Sequence, residues 1–124
     1  MFVIDCEYTR DEIHTKIGGS KQAYLPTYQG VVVAACLTKG LNPQAPQVIL
    51  CGKGKRTVAT GALLAGQGGV IPVFIKRAVN RWVCQGKFKA VASFVSGPEF
   101  DKFIAASDRP ASDISRAVVL EATV

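Results

Sequence analysis

Residues 73–91 read VFIKRAVNRWVCQGKFKAV, a segment that gathers Lys76, Arg77, Arg81, Lys87 and Lys89 around the only tryptophan, Trp82. Guanidinium and ammonium groups neutralise phosphates, and an aromatic face stacks a nucleobase at about 1–3 kcal/mol per base. The amide of Asn80 has the donor and acceptor needed to meet a base edge. Trp82 has two roles open to it, because a lone tryptophan in a strand also serves as a core residue. Upstream, residues 52–56 (GKGKR) place Lys53, Lys55 and Arg56 at the start of an expected helix, where backbone N–H groups attract anions. The spacing is not that of a Walker loop, and no carboxylate stands nearby to hold magnesium. A nucleic-acid phosphate therefore suits this turn better than a nucleoside triphosphate, with a solvated basic turn as the alternative. Residues 20–30 (SKQAYLPTYQG) add Lys21, Gln22, Tyr24 and Tyr28, ring faces and amides that suit an unstacked base. The alternative is a surface loop anchored by a half-buried Tyr24.

The distribution of charge narrows the chemistry. The chain has 124 residues, 15 Lys plus Arg, 9 Asp plus Glu, and a net charge of +6. Every acid lies near an end: Asp5, Glu7, Asp11 and Glu12, then Glu99, Asp101, Asp108, Asp113 and Glu121. Residues 13–98 contain no acid and carry +11, against −5 for the two ends together. Paired-carboxylate hydrolysis and carboxylate-held metal chemistry cannot be built from that stretch. A basic centre points instead to a polyanionic partner, or else to charges spread around the fold for solubility.

Other site chemistries have less support. His14 is the only histidine, and Cys6, Cys36, Cys51 and Cys84 show no CxxC or finger spacing, so no metal site and no cofactor motif is read. The cysteines sit in apolar runs and read as buried free thiols of a reducing, cytoplasmic protein, with two disulfides as the alternative. No apolar run reaches membrane-spanning length, and the first residues lack the pattern of a signal peptide.

These groups need a scaffold, and 124 residues suffice for one domain, 1–124. Thr9 and Glu12 form a capping box for a helix that stops at Gly18-Gly19. Residues 31–38 (VVVAACLT), apolar on both faces, read as a central strand. Strands are also expected over 47–51, 71–76, 80–85, 87–95 and 114–121, with Gly86 dividing the fourth from the fifth. Helices are expected over 56–67, weakened by Gly61, and over 98–106, opened by Pro98. The sum is a small α+β domain with about three short helices and a curved mixed sheet or partly closed β-barrel.

The order of these features resembles the barrel edge of the PUA-like superfamily, which includes SRA, EVE and ASCH domains. It rests on a strand ending in Lys76-Arg77, a loop with Asn80-Arg81-Trp82, and Gly86 before KFKAV. The segments YTRDEIHTKIGGSKQAYLP, LNPQAP and PVFIKRAVNRW also resemble an uncharacterised bacterial module sometimes joined to HNH-type nucleases. The resemblance implies a nucleic-acid reader that holds a flipped or modified base between aromatic groups. Tyr24, Tyr28 and Trp82 would stack, while Gln22 and Asn80 would read the edge. SRA-type readers use a pocket carboxylate, which the central stretch here lacks. The expectation is a non-catalytic nucleic-acid module, DNA over RNA, in host defence or a mobile element. Lys53, Lys55, Arg56, Lys76, Arg77, Arg81, Lys87 and Lys89 would contact phosphates. The alternatives are a small enzyme using His14 or a cysteine on a phosphorylated or acidic metabolite, and an adaptor for an acidic protein.

Overall fold

A single 14-residue strand, Arg81–Phe94, forms the spine of the computed structural model, which describes residues 2–123. In chain order the elements are β1 (Glu7–Tyr8), α1 (Arg10–Ile17), β2 (Thr27–Tyr28), β3 (Val31–Val32), β4 (Ala35–Leu37), β5 (Val48–Cys51), α2 (Lys55–Gly66), β6 (Val70–Ala78), β7 (Arg81–Phe94), α3 (Pro98–Ala105), a 3-10 turn (Ala111–Asp113) and β8 (Arg116–Ala122). The fold is α+β, with three helices on a curled mixed sheet that forms a half-barrel. Its strand order is β4-β6-β7-β8-β5, β1 adds to β7, and among the described residues only the β4–β6 pairing is parallel. Strands β2 and β3 make a separate hairpin.

Gly86 does not divide two strands, as the sequence suggests; it bends one. Val73 faces Gly86 and Phe74 faces Cys84, so one residue of β7 bulges out where Gly86 takes φ +109°. The bulge carries the buried, even-numbered residues of β7 from one face of the sheet to the other. Before it, Trp82 and Cys84 pack with Phe74, Ile13 and Cys36; after it, Phe88 packs with Ile71 and Val73 in a second cluster. One strand thereby walls two cores.

The run 31–38 also departs from expectation, since it is not one central strand. Val31–Val32 belongs to the small hairpin, and Ala35–Leu37 lies at an edge of the main sheet. That edge is buried because the preceding loop covers it, with the Cys36 N–H donating to the Tyr24 carbonyl at 2.7 Å.

The helices follow their local signals. Thr9 Oγ1 accepts from the Glu12 N–H at 3.1 Å and the Thr9 N–H donates back to Glu12 Oε1 at 2.8 Å, closing the capping box. In α2, Gly61 has a packing reason: a Cβ there would lie 2.8 Å from Cys51 Sγ. Pro98 opens α3, whose Phe100 and Ile104 close a third cluster against Val48 and Leu50. Cys36, Cys51 and Cys84 are buried free thiols as expected, whereas Cys6 is exposed. Among the described residues no helix is long and apolar enough to cross a membrane.

Candidate nucleic-acid interface

The site is assembled on the β6–β7 hairpin. Lys76 and Trp82 face each other across that pairing, so their side chains share one side of the sheet. Asn80 takes φ +52° at the hairpin tip, a conformation asparagine accepts more readily than most residues. Its Oδ1 accepts the Arg10 N–H at 2.9 Å, docking the start of α1 on the hairpin. Arg10 is 8% exposed, and its Nη2 donates to the carbonyls of Ser20 at 2.9 Å and Ala23 at 2.8 Å. This ties down the loop that carries Lys21, Gln22 and Tyr24.

The Arg10 guanidinium lies over the Trp82 ring, 5.3 Å from its centre, and Lys76 Nζ lies over it at 5.7 Å. The indole is 8% exposed and packs in the core with Ile13 and Phe74. Of the two readings of Trp82 the core one holds: it is a core residue with two cations over its ring. It does not present a bare face to a base.

A cavity of about 520 Å³ opens beside it, with walls from Arg10, Lys21, Gln22, Lys76, Asn80 and Trp82. Thr38, Asn42 and Thr57 also line it, with Arg109, whose Nη1 donates to the carbonyls of Leu50 at 2.8 Å and Leu41 at 3.1 Å. Four cationic side chains therefore line the cavity, and among the described residues no Asp or Glu does. Two donors here have no acceptor: Arg10 Nε and Trp82 Nε1 are buried without a hydrogen-bond partner.

Tyr24 also reaches the wall, but its hydroxyl donates to the Thr57 carbonyl at 3.2 Å, and burial beside Cys51 pushes its phenol far up. It packs against the core rather than standing free. The cavity thiol, Cys36, is pushed up to about 11 by burial, which the charge of Arg10 only partly opposes. Burial likewise raises Cys51 and Cys84, so none of the three is a ready thiolate. His14 is exposed, sits 2.6 Å from the Gly19 carbonyl through Nδ1, and does not line the cavity. Among the described residues no group of three or more His, Cys, Asp or Glu is placed to hold a metal.

The other expected contacts lie elsewhere. Strand alternation turns Arg77 and Arg81 away from Lys76 and Trp82, and both meet Glu7, Arg81 at 3.6 Å and Arg77 through a close hydrogen bond. That bond holds the Glu7 carboxyl below its ordinary range. Lys21 pairs with Asp11 at 3.0 Å on the exposed rim. Lys53, Lys55 and Arg56 are exposed between Gly52 and Thr57, which both belong to the cavity wall. Lys87 and Lys89 are exposed farther along β7, and Lys87 borders a second cavity of about 850 Å³ with largely apolar walls. Tyr28 is 51% exposed in the small hairpin, packed against Gly18 and away from the first cavity.

Of the fourteen residues the sequence nominates, Lys21, Gln22, Tyr24, Lys76, Asn80 and Trp82 meet in one cavity. Arg10 and Arg109 were not nominated, since each lies in an acidic end of the chain. Arg10 carries one signal, its place at the first turn of a capped helix; Arg109 carries none. No protein-family model, curated protein or solved structure matches the chain.

Proposed function

We propose that the protein is a non-catalytic nucleic-acid-binding module of the PUA-like kind, with DNA as the partner. The observation that carries this reading is the cavity at Trp82, walled by Arg10, Lys21, Lys76 and Arg109 with no carboxylate among the described residues. Such a wall attracts an acceptor-rich polyanion and repels nothing in it. Lys53, Lys55 and Arg56 extend the positive surface at the mouth, where phosphates of a longer strand would lie. The raised thiols and the remote His14 favour binding over nucleophilic catalysis. Reading of a modified base is the less supported form of the proposal, because Trp82 is covered by cations and Tyr24 is bonded into the core.

Binding to a labelled duplex and to a single strand of the same sequence, followed by fluorescence anisotropy at increasing salt, tests the proposal. Salt-sensitive binding supports it; no binding to either strand form at low salt removes it.

A further inference from the structure

We infer that Cys6 and Cys84 close a disulfide across the β1–β7 pairing when the folded protein meets a thiol oxidant, a redox-responsive staple on the spine of the sheet. Register brings the two together. Glu7 faces Val83 and Tyr8 faces Trp82, and one step further the Cys84 N–H donates to the Cys6 carbonyl at 3.0 Å. Asp5, at φ +71°, takes up the extra residue of a bulge, and its N–H donates to the Cys84 carbonyl at 2.8 Å. Cys6 and Cys84 thus stand opposite each other as an antiparallel pair, whose Cα atoms lie about 5.5 Å apart when hydrogen-bonded in this way. A disulfide spans Cα separations of about 4.4–6.8 Å, so the backbone is already spaced for the bond.

The two side chains share a face of the sheet. Tyr8 and Trp82, the next pair of the same orientation, both pack in the cluster of Ile13 and Phe74, which also holds Cys84. Glu7, between Cys6 and Tyr8, points the other way to Arg77 and Arg81. Burial chiefly raises the Cys84 thiol and the charge of Cys6 adds to it, so the two sulfurs sense each other. The remaining thiols are out of reach. Cys36 faces Phe74, which in turn faces Cys84, so two strand spacings of about 4.8 Å separate those cysteines. Cys51 packs in a different cluster. Exposure sets the order of events: Cys6 is exposed and meets the oxidant, whereas Cys84 is 1% exposed and meets only its neighbour. The Cys6 thiolate attacks one sulfur of a small disulfide, forming a mixed disulfide and expelling a thiolate. The Cys84 thiolate then attacks the Cys6 sulfur, forming the intrachain bond and expelling the second thiolate. The two cysteines lose two electrons and two protons, and the small disulfide takes up both and leaves as two thiols.

The test incubates the folded protein with oxidised glutathione, blocks free thiols in denaturant and maps the digest by mass spectrometry. Thermal melting compares the oxidised and reduced forms. A cross-linked peptide joining Cys6 to Cys84 is expected, with Cys36 and Cys51 still free. Because the bond closes a long loop, the melting temperature should rise by several degrees, and dithiothreitol should reverse the rise. Cys6→Ser alters an exposed side chain and should keep its fold; its Cys84 should stay reduced and its melting temperature should not respond to the oxidant. A lasting glutathione adduct on Cys6 with Cys84 free overturns the inference, as does a bond from either cysteine to Cys36, Cys51 or a second chain. Cross-linking that needs denaturant present during oxidation overturns it as well. The expected cross-link with an unchanged melting temperature overturns the staple.

Discussion

Arg10 and Trp82 form the hinge between the two halves of the site: the guanidinium carbon lies 5.3 Å from the indole centre while the same side chain holds the carbonyls of Ser20 and Ala23. One arginine thereby fixes a helix start, a loop and the ring on β7. Two charge-assisted hydrogen bonds and a largely desolvated cation–π contact are lost together in Arg10→Ala. Urea unfolding should show a loss of about 3 kcal/mol. Arg10→Lys keeps the charge but not the fork, and should recover only part of that loss.

Glu7 restrains two cations that would otherwise be free, through contacts with Arg77 and Arg81. Glu7→Gln should strengthen binding to duplex DNA and steepen its salt dependence by about two units, since two more cations reach phosphates. The pair also gives stability a direction in pH. Because the Glu7 carboxyl is depressed in the folded protein, chiefly by its bond from Arg77, its contribution is present above the ordinary carboxylate range and is lost as pH falls through the lowered value. Thermal melting of wild type and Glu7→Gln should therefore converge at acid pH.

Gly61 sits against Cys51, where a Cβ would come within 2.8 Å of the sulfur. Helix propensity alone predicts that Gly61→Ala stabilises by about 1 kcal/mol. Overpacking a buried helix–sheet contact costs about 1–3 kcal/mol, so the net effect should be a lower melting temperature. Gly61→Ala combined with Cys51→Ala should restore part of the loss.

Thiol labelling should divide the cysteines sharply. Cys6 is exposed, whereas Cys36, Cys51 and Cys84 are buried and their thiols raised, Cys36 to about 11. Brief treatment with iodoacetamide at pH 8 should modify Cys6 alone, with the other three reacting after denaturant is added. Mass spectrometry of the digested protein reads both stages.

The sequence made the helices and most of the sheet legible because their signals are local. The Thr9–Glu12 capping box, Pro98 and the alternation around Phe88 each act within a few residues. The strand 31–38 was misplaced because burial on both faces implies a central position only when no loop covers an edge, and here the Tyr24 backbone does so. The KRAVNRW cluster is legible as chemistry but not as geometry. Strand alternation sends Lys76 and Trp82 to the cavity and Arg77 and Arg81 to Glu7, a division that depends on β1 pairing with β7. Charge counted by segment hid Arg10 and Arg109, because two arginines in acidic ends look neutralised until the fold carries them to the basic centre.

The salt dependence of duplex DNA binding tests the central claim most directly. Eight basic residues are expected to contact phosphates; Arg77 and Arg81 pair with Glu7, and Lys87 and Lys89 lie away from the cavity, which leaves Lys53, Lys55, Arg56 and Lys76 for that role. Four contacts give a slope of log K against log salt of about −4, and Lys76→Gln should reduce it by about one unit. A flat titration, or no binding to duplex at low salt, would contradict the account.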